Sequence, residues 1–143
     1  YFFSSLGGIA GGALSSVMIR RGVAVGRARQ RSMLILACCV LPVITIPGLN
    51  SLWGSVALIA LAAFAHQGWA SNVFTLVSDF YPKNSVGSMT GLAGFTGSIG
   101  GILAAIFVGQ ILQLTGSYFL IFLIAGLAYI IAWSVLILCL PHK

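Results

Sequence analysis

A run of polar residues inside an apolar segment is the feature that most constrains this chain. The segment Leu52–Phe80 is long enough to cross a membrane as a helix, and it opens with the apolar stretch 56–64. It then carries the polar side chains His66, Gln67, Ser71, Asn72, Thr75, Ser78 and Asp79. Hydrocarbon offers such groups no hydrogen bonds, so they are expected to face protein or a water-filled cavity. We favour a substrate or ion path over the alternative, in which the groups only bond helices together.

The composition agrees with a membrane protein. The chain is 59% hydrophobic and only 6% charged, whereas soluble domains carry about 25% charged residues. The net charge of +6 lies in short gaps between apolar blocks, which indicates membrane topology rather than nucleic-acid binding. Cys38, Cys39 and Cys139 lie in apolar segments without metal-ligand spacing, so we expect them to pack in the membrane and expect no metal site.

The pattern predicts an all-α membrane protein with five transmembrane helices. The predicted spans are Tyr1–Ile19, Met33–Leu49, Leu52–Phe80, Val86–Leu114 and Tyr118–Leu140, with loops at 20–32 and 81–85. The second span is about 25 Å long, just enough to cross with help from its flanks. Pro42 and Pro47 are expected to bend it.

The basic residues predict the orientation of these spans. All seven Lys and Arg residues fall in the two loops or at the C-terminal Lys143, which is one side of the membrane. By the positive-inside rule that side is cytoplasmic, together with the C-terminus. The chain begins at Tyr1 inside an apolar segment without signal-peptide features, so we expect a fragment that lacks an N-terminal part.

Glycines predict how the helices pack. Two overlapping small-xxx-small pairs, Gly7–Gly11 and Gly8–Gly12, lie in the first span. The fourth span carries a glycine face made of Gly87, Gly91, Gly94, Gly97, Gly100 and Gly101. Such faces let helix backbones approach closely, and we expect their partners to be other helices of the same chain.

The polar side chains of the third span share one face. At 100° per residue, an arc of about 140° holds the members of what we call the polar stripe: Gln67, Ser71, Asn72, Thr75, Ser78 and Asp79. Neutral amides and hydroxyls both donate and accept hydrogen bonds, which suits a ligand rich in hydroxyls. Trp69 lies outside the arc and either stacks on a sugar or packs in the bundle.

Two titratable residues are candidates for a proton-linked or gating role. His66 is a candidate because histidine ordinarily has a pKa near working pH, and a neutral His66 bonded to a neighbouring helix is the simpler alternative. Asp79 lies four residues before Lys83, and a local charge pair or a bond to a loop amide is the simpler interpretation of it. A proton relay of several carboxylates is excluded within this chain, because Asp79 is its only acidic residue.

The first loop carries a motif that resembles a known family. The stretch Gly12-Ala13-Leu14-Ser15-Ser16-Val17-Met18-Ile19-Arg20-Arg21-Gly22 resembles G-x-L-S-D-R-x-x-R-R-G. This motif is typical of the loop between the eighth and ninth spans of major facilitator superfamily transporters. Gly12, Ser15, Arg20, Arg21 and Gly22 match it. The acidic position holds Ser16 and the following basic position Val17, so the gating ion pair of this loop lacks its acid.

Within the superfamily, the stretch AHQGWASNVFTLVSDFYPKNSVGSMTGLAGFTGSIGG resembles the anion:cation symporters, and among them the bacterial hexuronate transporters. The resemblance implies spans eight to twelve of a twelve-helix transporter in the cytoplasmic membrane of a bacterium. It implies symport of a sugar acid such as galacturonate or glucuronate with protons, and no cofactor. It assigns Gln67, Ser71, Asn72 and Thr75 to the central cavity, with Asn72 as the first candidate for direct contact with the sugar.

The resemblance also implies what the chain lacks. The carboxylate-binding arginine and the proton-carrying acids of such transporters belong to the N-terminal half, which would be the partner of this bundle. Two alternatives stay open: a transporter of another organic anion, such as an aldonate or tartrate, and a membrane structural subunit without transport activity. A membrane-embedded enzyme is disfavoured, because no paired acid and base or metal cluster is visible.

Overall fold

The computed structural model describes residues 1–139, and these form a bundle of α-helices. Residue 140, which ends the predicted fifth span, and Lys143 lie outside the described residues. The helices are α1 (Phe2–Arg20), α2 (Val25–Val40), α3 (Leu52–Phe80), α4 (Lys83–Thr115) and α5 (Phe119–Cys139). All five are long and apolar enough to cross a membrane, when α2 is taken with the turns that continue it. The all-α prediction is confirmed, and α3 has the predicted bounds.

The start of the second span differs from the prediction. Helix α2 begins at Val25, so the predicted loop 20–32 is wrong and the connection spans only residues 21–24. Arginine and glutamine are good helix formers, and Arg29 and Ser32 are buried in the bundle. The charge pattern predicts that residues 20–32 lie at the edge of the membrane. Charged residues can nevertheless form a helix, and residues 25–32 do so. Helix α4 likewise begins at Lys83, which shortens the second loop to residues 81–82.

Prolines end α2 and change the form of the chain beyond it. The amide of Leu41 already bonds the Cys38 carbonyl in the tighter three-residue pattern, and Pro42 has no N–H to continue the α-helical ladder. The chain proceeds as a 3₁₀ helix over Leu41–Gly48 with Pro47 inside it. The structure thus shows a change of helix type at the prolines, and the predicted bend of this span stays a prediction.

The turns between helices use residues suited to them. Ser51 begins α3, and its hydroxyl accepts a hydrogen bond from the amide of Gly54 at 3.2 Å. Gly116 ends α4 with a φ of 62°, and Gly22 follows α1 with a φ of 84°. Both angles lie in the left-handed region, where a side chain is unfavourable, so glycine is required at these two turns.

Helices α1 and α3 touch backbone to backbone. Gly7 and Gly11 are buried, and a methyl group on Gly11 would lie 2.5 Å from the Cα atom of Gly68. A methyl group on Gly7 would collide with the carbonyl of Phe64. Backbone cannot move aside as a flexible side chain can, so only glycine fits at these two sites. The predicted glycine packing of the first span against another helix of the chain is confirmed.

The glycine face of α4 has a different environment. Its six predicted members have no neighbouring atom within 4 Å of the position that a Cβ would take, among the residues that the structure describes. No described residue of α4 is buried. The predicted packing of this face against another helix therefore stays a prediction.

The two short loops lie at the same end of the bundle. Arg29, near the start of α2, and Asp79, near the end of α3, meet with 3.1 Å between Nε and a carboxylate oxygen. The connections 21–24 and 81–82 are therefore neighbours, as the distribution of basic residues predicts. We call this end of the molecule the basic end, since it carries Arg20, Arg21, Arg27, Arg31 and Lys83, all exposed.

The α1–α3 contact makes a testable prediction. Gly11→Ala is expected to lower the free energy of unfolding by about 1–3 kcal/mol, because the added methyl overpacks against the Gly68 backbone. Gly91→Ala is the matched control, since open space surrounds that position and alanine favours the helix equally in both variants. Thermal unfolding of the purified chain in detergent measures the difference, and equal midpoints for the two variants would contradict the assigned contact.

Candidate functional site

The polar stripe lies along the edge of the α1–α3 contact. A Cβ at Gly8 would sit 3.4 Å from Cγ of Gln67, and one at Gly12 would sit 3.8 Å from Oγ of Ser71. Gln67 is exposed, and its amide makes no hydrogen bond within residues 1–139. The small residues of α1 thus leave Gln67 room to present one donor group and one acceptor group to a ligand.

Two of the three hydroxyls of the polar stripe, those of Thr75 and Ser78, are bonded to their own helix. The Thr75 hydroxyl donates to the Ser71 carbonyl at 2.6 Å, and the Ser78 hydroxyl donates to the Phe74 carbonyl at 3.4 Å. Ser71 and Thr75 are half-buried. Such bonding satisfies the donor within the helix and leaves the oxygen lone pairs free to accept a hydrogen bond from a ligand.

Asn72 lies inside the helix interface and not beside it. Its side chain is fully buried, and its NH₂ group donates to the carbonyls of Gly11 and Gly68, each at 3.0 Å. Its Oδ1 atom is buried and accepts no hydrogen bond from any described residue. A direct contact between Asn72 and a sugar stays a prediction, and it requires α1 and α3 to separate at this level.

Trp69 and His66 lie on another side of α3, as the helical geometry predicts. Trp69 packs against the buried cluster of Leu36, Val40 and Ala65. Its ring meets that of Tyr129 on α5 edge to face, with 5.7 Å between centroids. Nδ1 of His66 shares a hydrogen bond with the Tyr129 hydroxyl. This geometry favours packing for Trp69, and it gives His66 a bond to a neighbouring helix.

Asp79 has a different partner from the local one that its spacing favours. Its carboxylate accepts from Nε of Arg29 at 3.1 Å, and no ion pair with Lys83 forms within the described residues. A second nitrogen of Arg29 donates to the hydroxyl of Ser15 on α1. One guanidinium therefore ties three helices together at the basic end, and the predicted pairing with Lys83 is wrong. Asp79 pairs with Arg29 and not with Lys83 because Arg29 is buried, and an unpaired buried charge would be costly.

The motif residues of the first loop divide into two groups. Gly12 and Ser15 lie on α1 in contact with other helices, next to Ser71 and Arg29 respectively. Arg20, Arg21 and Gly22 form the exposed turn at the basic end. Ser16, at the acidic position of the motif, donates its hydroxyl to the Gly12 carbonyl at 2.8 Å. The ion pair of the basic end thus uses Asp79 from α3 in place of an acid from this loop.

A cavity of about 430 Å³ lies away from the polar stripe. It is lined by Phe3, Trp53, Val56, Ala57, Ala60, Leu61 and Phe64, and none of these side chains is charged. A hydroxyl-rich ligand would find almost no hydrogen-bonding partners there. Groups of three His, Cys, Asp or Glu residues that could hold a metal ion are absent from residues 1–139. The polar stripe therefore remains the candidate binding site, and its neutral donors and acceptors suit recognition rather than acid–base catalysis.

The sequence interpretation missed two residues, Arg29 and Tyr129. A signal for Arg29 was present: Arg29, Ser32 and Leu36 share one helical face, while Arg27 and Arg31 share another. The prediction of a loop over residues 20–32 does not take this helical spacing of the arginines into account. Tyr129 offered no comparable signal, because its apolar neighbours on α5 make it resemble any aromatic packing residue.

The comparisons with known proteins point to one class of protein. The chain is 30% identical over 115 residues to the probable galactarate/D-glucarate transporter GudP of Bacillus subtilis (strain 168), covering 78% of this chain and 24% of that protein. It is 29% identical over 138 residues to the D-galactonate transporter of Escherichia coli O6:H1, covering 93% of this chain and 31% of that protein. It is 29% identical over 141 residues to the hexuronate transporter of Escherichia coli (strain K12), covering 94% of this chain and 32% of that protein.

These relatives are all named as transporters of sugar acids, but the sugar acids differ. The chain spans about a quarter to a third of the length of these curated relatives. No protein-family model matches it. The relatives are named for three kinds of sugar acid at similar identity, so the resemblance does not separate hexuronate from the others. They are transporters and not enzymes.

The ion pair at the basic end makes a testable prediction. Asp79→Asn is expected to lower the free energy of unfolding by about 1–3 kcal/mol, below the roughly 3–5 kcal/mol of fully buried pairs, because a quarter of the Asp79 side chain is exposed. Lys83→Gln is the control and should change it by less than about 0.5 kcal/mol. A greater loss for Lys83→Gln than for Asp79→Asn in the same unfolding assay would contradict the pairing with Arg29.

Proposed function

We propose that the chain is part of a proton-coupled sugar acid transporter of the major facilitator superfamily, because its relatives are named as transporters of sugar acids. The proposed substrate is a hexuronate such as galacturonate or glucuronate. Transport proceeds by alternating access across the cytoplasmic membrane of a bacterium, with substrate near the bilayer midplane. The proton is the coupling ion, and no other cofactor takes part.

The observation that carries this proposal is the exposed amide of Gln67 on a membrane-spanning helix. Gln67 has no hydrogen-bond partner within residues 1–139 and adjoins the small residues of α1. A polar group at membrane depth without a protein partner is costly unless water or a ligand meets it. A sugar acid brings hydroxyls that both donate and accept, which is what an amide and neighbouring hydroxyls can match.

Within this proposal the residues of the polar stripe have different roles. Gln67 contacts a hydroxyl of the sugar directly, and Ser71 and Thr75 accept further hydrogen bonds through their oxygen lone pairs. Asn72 holds α1 against α3 through the carbonyls of Gly11 and Gly68. It reaches the substrate only in a state in which these helices have moved apart. Trp69 supports α3 from the other side.

His66 is the proposed proton-linked residue of this bundle. Its bond to Tyr129 joins α3 to α5. In the neutral tautomer that carries its proton on Nε2, Nδ1 accepts this bond, and protonation of the ring turns Nδ1 into a donor. The bond would then reverse its direction, so a proton on His66 changes the contact between two helices. Asp79 is the proposed gating residue, because its pairing with Arg29 gathers three helices at the basic end.

The proposed orientation places the basic end in the cytoplasm. Under the positive-inside rule, the exposed arginines of the turn after α1 and Lys83 at the start of α4 remain on that side. The C-terminus follows α5 and is proposed to be cytoplasmic too. The rest of a transporter of the relatives' length would supply the opposite wall of the path, together with groups that bind the carboxylate.

A second candidate substrate is an aldonate, which is favoured by the relative named for D-galactonate. Hexuronates and aldonates both carry one carboxylate and several hydroxyls, and they differ in having a ring or an open chain. The polar stripe fits both.

Uptake tests the transport proposal. Cells expressing the whole protein are expected to take up labelled galacturonate saturably, and a protonophore should abolish the accumulation. A panel with glucuronate, galactonate and glucarate ranks the substrates by kcat/KM. Absence of saturable uptake of all four by protein that is confirmed in the membrane would reject the proposal and leave the structural-subunit alternative.

Variants test the proposed contact. Gln67→Ala should raise the KM for uptake about 3- to 10-fold, since one hydrogen bond contributes about 0.5–1.5 kcal/mol. Ser134→Ala on α5 is the control, because that hydroxyl is exposed and bonds only the Ile130 carbonyl of its own helix. Unchanged KM in Gln67→Ala, at equal membrane abundance, would remove Gln67 from the site.

A further inference from the structure

The outward face of α2 combines charge and apolar surface in one line. Arg27, Arg31, Ile35 and Cys38 are all exposed, and at 100° per residue they fall within an arc of about 80°. Ala28, Ser32 and Leu36, which pack into the bundle, occupy the adjoining arc of about 80°. We call the four exposed residues the basic-apolar face.

Arg27 and Arg31 have no counter-ion among the described residues 1–139. The whole sequence contains one acidic residue, Asp79, and Arg29 pairs with it. Arg27 and Arg31 make no ion pair or hydrogen bond with any residue in the described range 1–139. Arg20 and Arg21, exposed in the turn just before α2, add to the positive potential at this end. Within residues 1–139 no acid is left to balance this charge, so it is available to an anion from outside the chain.

The dimensions of the face fit a lipid molecule. Ile35 and Cys38 lie about 6 Å and 10 Å beyond Arg31 along the helix axis, which is within the depth of one leaflet of the hydrocarbon core, about 15 Å. The arginines lie at the basic end, where the membrane surface is expected. Ile35, with 44% of its surface exposed, lies one turn further towards the membrane interior.

We propose that the basic-apolar face of α2 binds an anionic phospholipid, with its phosphate between Arg27 and Arg31 and an acyl chain along Ile35 and Cys38. This inference goes beyond transport and does not depend on which solute is carried. A soluble anion or an acidic protein would meet the arginines alone, whereas a lipid also covers the apolar residues that continue the same line. A guanidinium pairs with a phosphate through two parallel hydrogen bonds, which makes arginine well suited to the headgroup.

Native mass spectrometry of the purified chain with added lipids tests the proposal. The probes are dioleoylphosphatidylglycerol and the zwitterionic dioleoylphosphatidylcholine, each titrated in the same detergent. The chain should bind phosphatidylglycerol more tightly than phosphatidylcholine. Arg27→Gln with Arg31→Gln should weaken phosphatidylglycerol binding about 25-fold, or about fivefold for each arginine near the membrane surface, and leave phosphatidylcholine binding unchanged.

Single-charge variants give the matched control. Arg31→Gln should weaken phosphatidylglycerol binding about fivefold, and Lys83→Gln, which removes one charge from the same end but off this face, should change it less than twofold. Equal losses in the two variants would show a diffuse attraction and overturn the proposed site. Equal affinity of the unaltered chain for phosphatidylglycerol and phosphatidylcholine would also overturn it.

Two further measurements complete the test. Arg27→Lys with Arg31→Lys keeps both charges and should retain more than half of the selectivity, even if the glutamine pair fails to fold. Soluble glycerophosphoglycerol carries the headgroup without acyl chains, and it should fail to displace bound phosphatidylglycerol at 100-fold excess. Displacement by the headgroup alone would overturn the role of Ile35 and Cys38.

Discussion

The contact between the backbones of α1 and α3 is the constraint on which the rest of the bundle depends. Gly7 and Gly11 allow the two helices to meet with no side chain between them. That distance brings the carbonyl of Gly11 within hydrogen-bonding range of the Asn72 amide. It also places Gln67 and Ser71 along the open edge of the contact rather than inside it. The close approach thus decides which polar groups are used up in packing and which remain for a ligand.

Electrostatics fixes the other end of these helices. A chain with seven bases and one acid has only one strong ion pair available, and the structure gives it to Arg29, the buried base. Because Ser15 accepts from the same guanidinium, α1, α2 and α3 are joined at the basic end as well as at the glycines. The remaining exposed bases are left to interact with the surroundings of the protein.

Much of this arrangement could be predicted from the sequence, and the failures have physical causes. The lengths of the apolar segments and the turn residues between them predict the five helices. Helix α3 has the predicted ends because Ser51 caps its start and Pro82 follows its end. The predicted start of α2 is too late because the run of arginines before Met33 resembles a loop, although arginine is compatible with a helix. The helical wheel places the polar stripe on one face of α3, but a wheel does not show what each side chain contacts. It could not show that Asn72 faces the backbone of α1 while Gln67, about 140° away, faces open space.

The 3₁₀ segment after Val40 has a consequence for the fit of α2 to the bilayer. A 3₁₀ helix rises about 2.0 Å per residue, against about 1.5 Å in an α-helix. The apolar stretch 33–48, half of it in each form, therefore reaches about 28 Å and not about 24 Å. This nearly matches a hydrocarbon thickness of about 30 Å. Pro42 and Pro47 thus lengthen a span that would otherwise be too short, and the bilayer need not thin around it.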